Sequence, residues 1–281
     1  MNTIKTIEQV RLQVKAWKNE GYSIALVPTM GSLHEGHASL IKRAAKENDK
    51  VVVSIFVNPI QFGPNEDLAS YPKNLDKDKI LCADAGANLI FTPDASEMYY
   101  KDAPTNVSVN ELAVGLCGAK RPGHFDGVCT VVSKLFNIIP ADKAYFGEKD
   151  AQQLAIIKKM VRDLNFDIEI IGCPIVREKD GLAKSSRNVY LSSKERQAAL
   201  ILNKSLTKGK ETLLSGEKST DLLKKVIKNG LETESLAKID YIEVVDSLSL
   251  TAVQIVSKPI LVAIAVFIGK TRLIDNFVYE V

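Results

Sequence analysis

The 281-residue chain lacks the features that mark membrane and secreted proteins. Its longest apolar run, Pro259 to Ile268, is too short to span a bilayer and has the β-branched content of a buried strand. The pattern of the N-terminal residues 1–21 predicts an amphipathic surface helix, and these residues lack the uninterrupted apolar core of a signal peptide. These absences favour a cytoplasmic protein with no membrane partner.

Neither sign of charge is in clear excess. The 37 basic and 34 acidic residues give a formal net charge of +3, and the two signs are mixed along the chain. The sequence therefore has no basic arm of the kind that nucleic-acid binders use, and we expect no nucleic-acid partner. A small local anion site remains compatible with this composition.

Cysteines are few and scattered. Cys82, Cys117, Cys129 and Cys173 form no C-x-x-C pair and no zinc-finger spacing, which favours reduced and mostly buried thiols. The hydrophobic fraction of 46% and the charged fraction of 25% are close to the averages of soluble globular proteins, so we expect a folded chain.

Short apolar runs alternate with helical patterns from residue 22 onward. Ser23–Val27, Val51–Val57 and Ala144–Phe146 are apolar runs, whereas Leu75–Ala85 and Ala151–Leu164 have the 3.6-residue period of a helix. This alternation predicts an α/β fold with a Rossmann-like, doubly wound parallel sheet. Ligands of such sheets bind beyond the carboxyl ends of the strands.

The residue composition and the hydrophobic pattern change after about residue 192. Lys-rich helical sequence is followed by strand-like segments, among them Ile239–Val245 and Ile260–Ile268. This pattern predicts a smaller C-terminal α+β domain. We expect the boundary between Gly172 and Ser192 and place the two domains at residues 1–175 and 176–281.

The chain has only three histidines, and two of them lie in the stretch VPTMGSLHEGHASL. Gly31 and Gly36 permit sharp turns there, and a helix starting near His37 presents N–H groups and the positive end of its dipole. Two imidazoles at this position can donate hydrogen bonds to phosphate oxygens. We therefore predict that His34 and His37 bind phosphate; the structural alternative is that both are polar loop and helix-cap residues.

Zinc is the chemical alternative for the histidine pair. The sequence is not H-E-x-x-H, and only one further histidine and scattered cysteines could complete a site. We therefore predict no metal held by the protein itself. Asp76 and Asp78 are expected on a solvated helix face.

A second signal lies in the stretch REKDGLAKSSRNVYL, where Lys184, Ser185, Ser186 and Arg187 follow a Gly-containing turn. A basic-hydroxyl-hydroxyl-basic loop offers several donors to a triphosphate. Near a domain boundary, such a loop can close over its ligand. A solvated connector is the alternative for this stretch taken alone.

The two signals together resemble the HIGH motif and the KMSKS loop of the nucleotidyltransferase superfamily that includes class I aminoacyl-tRNA synthetases. The resemblance is closer to one family, pantothenate synthetase (pantoate–β-alanine ligase), and it runs across nearly the whole chain. Five ordered blocks carry it: PTMGSLHEGHASL, VSIFVNPIQFGPNEDLASYP, GAKRPGHFDGVCTVV, AYFGEKDAQQ and VREKDGLAKSSRNVYLS.

This resemblance implies an ATP-dependent ligase that makes a coenzyme A precursor. (R)-pantoate would attack the α-phosphorus of ATP to give an enzyme-bound pantoyl adenylate and pyrophosphate, and β-alanine would then displace AMP to give pantothenate. Such a reaction needs no protein nucleophile, in agreement with the lack of a convincing Ser-His-Asp or Cys-His arrangement. The resemblance also implies a homodimer, with Mg²⁺ bound mainly through the ATP phosphates.

The resemblance further implies roles for individual residues. His37, His34 and Lys149 would act on the phosphates, with His37 at the position usually given the proton-donor role. Gln61 and Gln153 would hold pantoate, Asn58 would lie on the ATP and β-alanine side, and Arg121 would lie near the dimer contact or the active-site rim. The ATP-binding set would be Met30, Gly31, Ser32, Leu33, His34, Glu35, Gly36, His37, Gly147, Glu148, Lys149, Asp150, Val176, Lys184, Ser185, Ser186 and Arg187.

Two other functions remain open at this point. A nucleotidyltransferase with a different acceptor would leave the nucleotide on its product, and a non-catalytic nucleotide sensor would bind ATP without turnover. The role of Lys184 is also open, because family members often carry an apolar residue there. Its side chain either contacts the triphosphate or points to solvent.

Overall fold

The structure is a computed structural model that describes residues 1–64 and 66–281. The chain forms two compact units. Unit 1 consists of Met1–Ala113, Gly118–Glu148 and Gln153–Pro174. Unit 2 consists of Val114–Cys117, Lys149–Gln152 and Ile175–Val281, so two short segments that precede residue 175 belong to it.

Unit 1 contains the parallel sheet. Its strands are β1 (Asn2–Ile4), β2 (Ile24–Thr29), β3 (Lys50–Ile55), β4 (Leu89–Phe91), β5 (Lys143–Gly147) and β6 (Glu169–Cys173). The helices in this part of the chain are α1 (Ile7–Asn19), α2 (Glu35–Glu47), α3 (Leu75–Ala85), α4 (Ala95–Met98), α5 (Leu116–Lys120), α6 (His124–Ile138) and α7 (Ala151–Asp163).

The strands lie in the order β1-β4-β3-β2-β5-β6, and each neighbouring pair is parallel. The chain moves outward from β2 through β3 to β4 and then returns to the other side of β2 with β5. The order therefore reverses between β2 and β5, which is where doubly wound sheets bind their ligands. The predicted Rossmann-like parallel sheet is confirmed.

Apolar side chains explain why these segments form the centre of unit 1. Val27 of β2 pairs with Val53 of β3, and both are fully buried. Ile41 of α2 and Tyr145 of β5 belong to the same buried cluster. Strands that are covered on both faces read as continuous apolar runs, and this is why the sequence pattern located them.

Unit 2 contains an antiparallel sheet of β7 (Ala237–Asp246), β8 (Ile260–Ile268) and β9 (Thr271–Tyr279), in that order. Its helices are α8 (Ser193–Ala198), α9 (Leu200–Leu214) and α10 (Thr220–Leu231). Leu202, Leu223 and Ile227 of these helices share a buried cluster with Val262 and Ile264 of β8. The predicted smaller α+β part is confirmed.

Several elements differ from the sequence prediction. The N-terminal segment forms the short strand β1 before its helix, and α2 begins at Glu35 rather than near His37. Helix α6, most of whose residues are buried, was not predicted. No helix among the described residues is long and apolar enough to cross a membrane.

The four cysteines are free thiols, as predicted, and Cys82, Cys129 and Cys173 are buried. Burial raises the pKa of Cys82 and of Cys129 to about 12. These two thiols therefore stay protonated and unreactive at neutral pH.

Candidate active site

The loop after β2 turns sharply at Gly31 and Ser32. Gly31 has φ of 84°, a conformation that glycine adopts without steric cost, and Ser32 has φ of 51°. A Cβ atom on Gly31 would also lie 3.1 Å from both Asp78 Oδ2 and Ile55 Cγ2. Glycine at position 31 is thus favoured by the backbone angle and, to a lesser degree, by the limited space.

Asp78 of α3 holds this loop. Its Oδ2 accepts the N–H of Ser32 at 3.0 Å, and its Oδ1 accepts the N–H of Leu33 at 2.7 Å. The side chain is buried, and this burial raises the pKa of Asp78 although the two hydrogen bonds act in the opposite direction. The expectation that Asp78 lies on a solvated helix face is wrong, because α3 turns this carboxylate inward to the loop.

His34 and His37 form a reciprocal cap at the start of α2. His34 Nδ1 accepts the N–H of Gly36 at 3.1 Å, and His37 Nδ1 accepts the N–H of His34 at 3.2 Å. The ring centroids are 4.1 Å apart with the planes inclined at 45°. The structural alternative and the functional prediction are therefore compatible, since capping uses only one nitrogen of each ring.

The caps decide which ring nitrogen carries the proton. A nitrogen that accepts a backbone N–H has no hydrogen of its own, so each neutral imidazole carries its proton on Nε2. The pair consequently offers Nε2–H donors beside the N-terminus of α2, where the helix dipole favours an anion. This arrangement suits the binding of phosphate oxygens.

A buried amide pair lies at the end of β3. Asn58 is fully buried and donates from Nδ2 to Gln61 Oε1 at 3.1 Å, while its Oδ1 accepts the hydroxyl of Tyr99 at 2.7 Å. Gln61 Nε2 contacts Met30 Sδ at 3.3 Å, which connects the amide pair to the loop after β2. Burial raises the pKa of Tyr99, so its hydroxyl remains a donor at neutral pH.

Arg121 is occupied by two partners within unit 1. Its Nε and Nη2 atoms donate to the two carboxylate oxygens of Glu66, each at 2.6 Å, and its Nη1 lies 2.8 Å from His124 Nε2. Burial opposes ionisation of Glu66, but the Arg121 guanidinium prevails and the pKa of Glu66 is lowered. Arg121 is thus placed as part of an ion pair beside the buried His124.

Further residues that were predicted to bind ATP or pantoate follow β5, the neighbour of β2 in the sheet. Gly147 ends the strand and Glu148 begins a short 3₁₀ turn; both belong to unit 1, as does the half-buried Gln153 of α7. Lys149 and Asp150 belong to unit 2, where the Lys149 carbonyl accepts a hydrogen bond from Asn276 Nδ2 at 2.8 Å.

Unit 2 also contains the loop Lys184–Arg187. The N–H of Lys184 donates to the carbonyl of Val176 at 2.9 Å, so these two predicted ATP residues are paired across a tight turn. Lys184 Nζ lies 2.7 Å from Glu178 Oε2, and the side chain is 16% exposed. Ser185 Oγ accepts the N–H of Arg187 and caps the 3₁₀ turn Ser186–Tyr190.

Within unit 1 the contact between Gln61 and Met30 joins the amide pair to the loop after β2. Sequence reasoning missed the residues that hold them, namely Asp78, Tyr99, Glu66, His124 and Gly127. His124 and Gly127 lie in the block GAKRPGHFDGVCTVV, whose composition could have drawn attention to them. No local pattern distinguishes Asp78 from its exposed neighbours.

Comparison with known proteins gives matches along the whole chain. The family model described as pantoate-beta-alanine ligase matches residues 2–278. A relative from Enterococcus faecalis named pantothenate synthetase is 64% identical over 280 residues, with 100% of this chain and 99% of that protein covered. One of the same name from Clostridium acetobutylicum is 63% identical over 281 residues, with 100% of both covered.

Solved structures give the same result. The crystal structure of pantothenate synthetase from Thermus thermophilus has a TM-score of 0.94 at 41% identity, with 99% of each chain covered. A pantoate-beta-alanine ligase from Francisella tularensis, crystallised with beta-gamma ATP and β-alanine, has a TM-score of 0.80 at 36% identity. That match covers 99% of this chain and 97% of the other.

Proposed function

The chain belongs to the pantoate-β-alanine ligase family, and on this premise we propose that it joins (R)-pantoate to β-alanine with ATP through an enzyme-bound pantoyl adenylate. The products are pantothenate, AMP and pyrophosphate. The observation that carries the proposal is the capped histidine pair, whose Nε2–H groups stand at the end of β2, next to the point where the strand order reverses.

In the first step a carboxylate oxygen of pantoate attacks the α-phosphorus of ATP. The bond from that phosphorus to the oxygen bridging the α- and β-phosphates breaks, and pyrophosphate leaves. Negative charge accumulates on the equatorial oxygens as the pentacoordinate phosphorus forms. We assign His34 and His37 to these oxygens as hydrogen-bond donors, since donors fixed in advance stabilise the transition state without reorganisation.

In the second step the β-alanine amine attacks the acyl carbon of the adenylate. The bond between that carbon and the phosphate oxygen breaks, AMP leaves, and the amine loses a proton as the amide forms. AMP is a good leaving group, so the acid is activated by ATP rather than by a protein nucleophile. The chain's contribution is to bind, orient and shield the adenylate from water.

We assign pantoate to the amides of unit 1. Gln61 and Gln153 each offer donors and an acceptor, which match hydroxyl and carboxylate groups. Asn58 orients Gln61 through their direct hydrogen bond, and we assign it to the ATP and β-alanine side. The proposed ATP residues are Met30–His37, Gly147 and Glu148 in unit 1, and Lys149, Asp150, Val176 and Lys184–Arg187 in unit 2.

We propose that Mg²⁺ enters on the ATP phosphates. Across residues 1–64 and 66–281, no group of three or more His, Cys, Asp or Glu side chains could hold a metal ion. Mg²⁺ prefers phosphate oxygens and water to such groups, and when bound it neutralises phosphate charge. The partners are otherwise small molecules, and a homodimer is the proposed assembly, which sedimentation velocity would test.

The test of this function is pyrophosphate release from MgATP and pantoate, with and without β-alanine, with the products identified by mass. We expect release that depends on pantoate, and the appearance of AMP and pantothenate once β-alanine is added. Folded protein that releases no pyrophosphate in the presence of pantoate would contradict the proposal. A product that retains the nucleotide would indicate a different transferase.

A further inference from the structure

Gln61 ends a three-residue 3₁₀ turn, Pro59–Gln61, that has little internal support. Within the turn, the N–H of Phe62 donates to the carbonyl of Pro59 at 3.3 Å. A turn this short cannot by itself fix the direction of a long amide side chain. Gln61 is nevertheless only 7% exposed and points to Met30, so neighbouring elements hold it.

Helix α6 holds the turn through two carbonyl contacts. His124 Nδ1 lies 2.8 Å from the Gln61 carbonyl oxygen, and the Gly127 carbonyl accepts Asn58 Nδ2 at 3.1 Å. A Cβ atom on Gly127 would lie 2.6 Å from Gln61 Cα and 2.7 Å from Gln61 N. Glycine at 127 therefore permits the close approach through which α6 supports the turn.

The neighbours of His124 fix its tautomer. Arg121 Nη1 lies 2.8 Å from His124 Nε2, and a guanidinium group can only donate, so Nε2 accepts. The ring proton is then on Nδ1 and is donated to the Gln61 carbonyl. Glu66 accepts two hydrogen bonds from the Nε–Nη2 edge of the Arg121 guanidinium, which leaves Nη1 directed at the His124 ring.

We propose that His124 is a positioning residue for pantoate: its Nδ1–H, set by the Glu66–Arg121 ion pair, fixes the main chain of Gln61 and so aims the Gln61 amide at the substrate. This inference rests on the proposed role of Gln61 in binding pantoate. His124 touches no reacting atom. Its loss therefore affects the binding of pantoate and leaves the binding of ATP largely unchanged.

Two substitutions separate the contacts of the His124 ring. In His124→Asn the amide NH₂ group stands near the place of Nδ1 and can still donate to the Gln61 carbonyl. In His124→Gln the amide oxygen stands near the place of Nε2 and can still accept from Arg121, but the donor to Gln61 is lost. Both variants keep a polar side chain at a buried position.

Steady-state kinetics of full-length protein would distinguish the variants. We expect His124→Gln to raise the KM for pantoate at least about tenfold, equivalent to 1.4 kcal/mol, and the KM for ATP by less than about threefold. We expect His124→Asn to keep the KM for pantoate within about threefold of the wild-type value. Equal changes in the two KM values, or equal effects of the two variants, would overturn the proposal.

A second measurement does not depend on the variants folding. The chain has three histidines, so their ring nitrogens can be resolved in a long-range ¹H–¹⁵N correlation spectrum of the wild-type protein. We expect His124 to carry its proton on Nδ1, unlike His34 and His37. A proton on Nε2 of His124 would overturn the assignment.

Gln61→Ala separates this inference from the proposed function. If Gln61→Ala raises the KM for pantoate and His124→Gln does not, only the role of His124 fails. If Gln61→Ala leaves the KM for pantoate unchanged, the role of Gln61 fails and the inference falls with it. Wild-type protein without pantoate-dependent pyrophosphate release would instead contradict the function itself.

Discussion

His34 and His37, at the start of α2, each use ring nitrogen Nδ1 to cap the helix, and the proposed function assigns Nε2 to the phosphates. His37 Nδ1 caps the chain at His34, and the same bond places the ring proton on Nε2. Removing the whole His37 side chain would therefore remove both the cap and the Nε2–H donor. A substitution that preserves the cap is needed to separate them.

We predict that His37→Asn slows pantoate adenylation about 10²- to 10³-fold, the usual cost of losing one fixed donor to a developing oxyanion. The asparagine oxygen can still accept the N–H of His34, so stability should remain near the wild-type value. His37→Ala should slow the reaction similarly and also lose about 1 kcal/mol with the cap. Single-turnover pyrophosphate release and urea unfolding measure the two effects; near-normal adenylation by the asparagine variant would refute the role of His37.

Some of these residues could be predicted from the sequence and others could not. His34 and His37 are recognisable because the whole motif lies within a few residues. Asp78 contacts residues that are 45 and 46 positions away, and His124 contacts a carbonyl 63 positions away. Contacts over such separations depend on the tertiary fold and leave no local pattern.

Helix α3 acts on the active-site loop through one carboxylate. We predict that Asp78→Asn raises the KM for ATP about tenfold or more, because one oxygen that accepts a loop N–H becomes an NH₂ group. Stability should change by less than about 1 kcal/mol, since the lost hydrogen bond is offset by relief of a buried charge. Asp76→Asn is the matched control, as that side chain on α3 is 93% exposed; equal effects of the two variants on the KM would contradict this role.

The raised pKa of Asp78 adds a pH signature to the same comparison. Between the ordinary value of 3.8 and the higher folded-state value, the native protein binds more protons than the unfolded chain. The free energy of unfolding contributed by Asp78 therefore falls as pH rises through this window. Urea unfolding of wild-type protein relative to Asp78→Asn should show this decline, and an increase with pH would contradict it.

The elements themselves were predictable to different degrees. Helix α3 and strand β8 have the predicted bounds: the Asn74 cap and the left-handed Gly86 mark the ends of α3, and a continuous apolar run marks β8. Helix α2 begins two residues earlier than predicted, because its cap is a histidine rather than a residue typical of helix N-caps. The cap became visible only with the geometry of both rings.

For the chain as a whole, the alternation of strands and helices was sufficient to predict the parallel sheet and the smaller α+β part. The composition of the two compact units was not predictable. Val114–Cys117 and Lys149–Gln152 belong to unit 2 although the sequence around them belongs to unit 1. Membership of a unit is decided by contacts in space, which neither period nor composition records.

Ligand binding should be measurable as a change in the stability of the whole chain. A ligand that binds only the native protein stabilises it by RT ln(1 + [L]/Kd), about 2.7 kcal/mol at one hundred times Kd. For a chain of this size each kcal/mol raises the unfolding midpoint by roughly 2–4 °C. We therefore predict a rise of about 5–10 °C with saturating MgATP, measured by calorimetry.

The same measurement tests whether His34 and His37 act on ATP while His124 acts on pantoate. His124→Gln should keep the full MgATP-induced rise, because His124 is inferred to act on pantoate through Gln61. The further rise on adding pantoate should be reduced in this variant, since its affinity for pantoate is lower. Loss of the MgATP-induced rise in His124→Gln would show that the contact between α6 and the Gln61 turn supports the nucleotide site as well, and the separate assignment of the two ligands would fail.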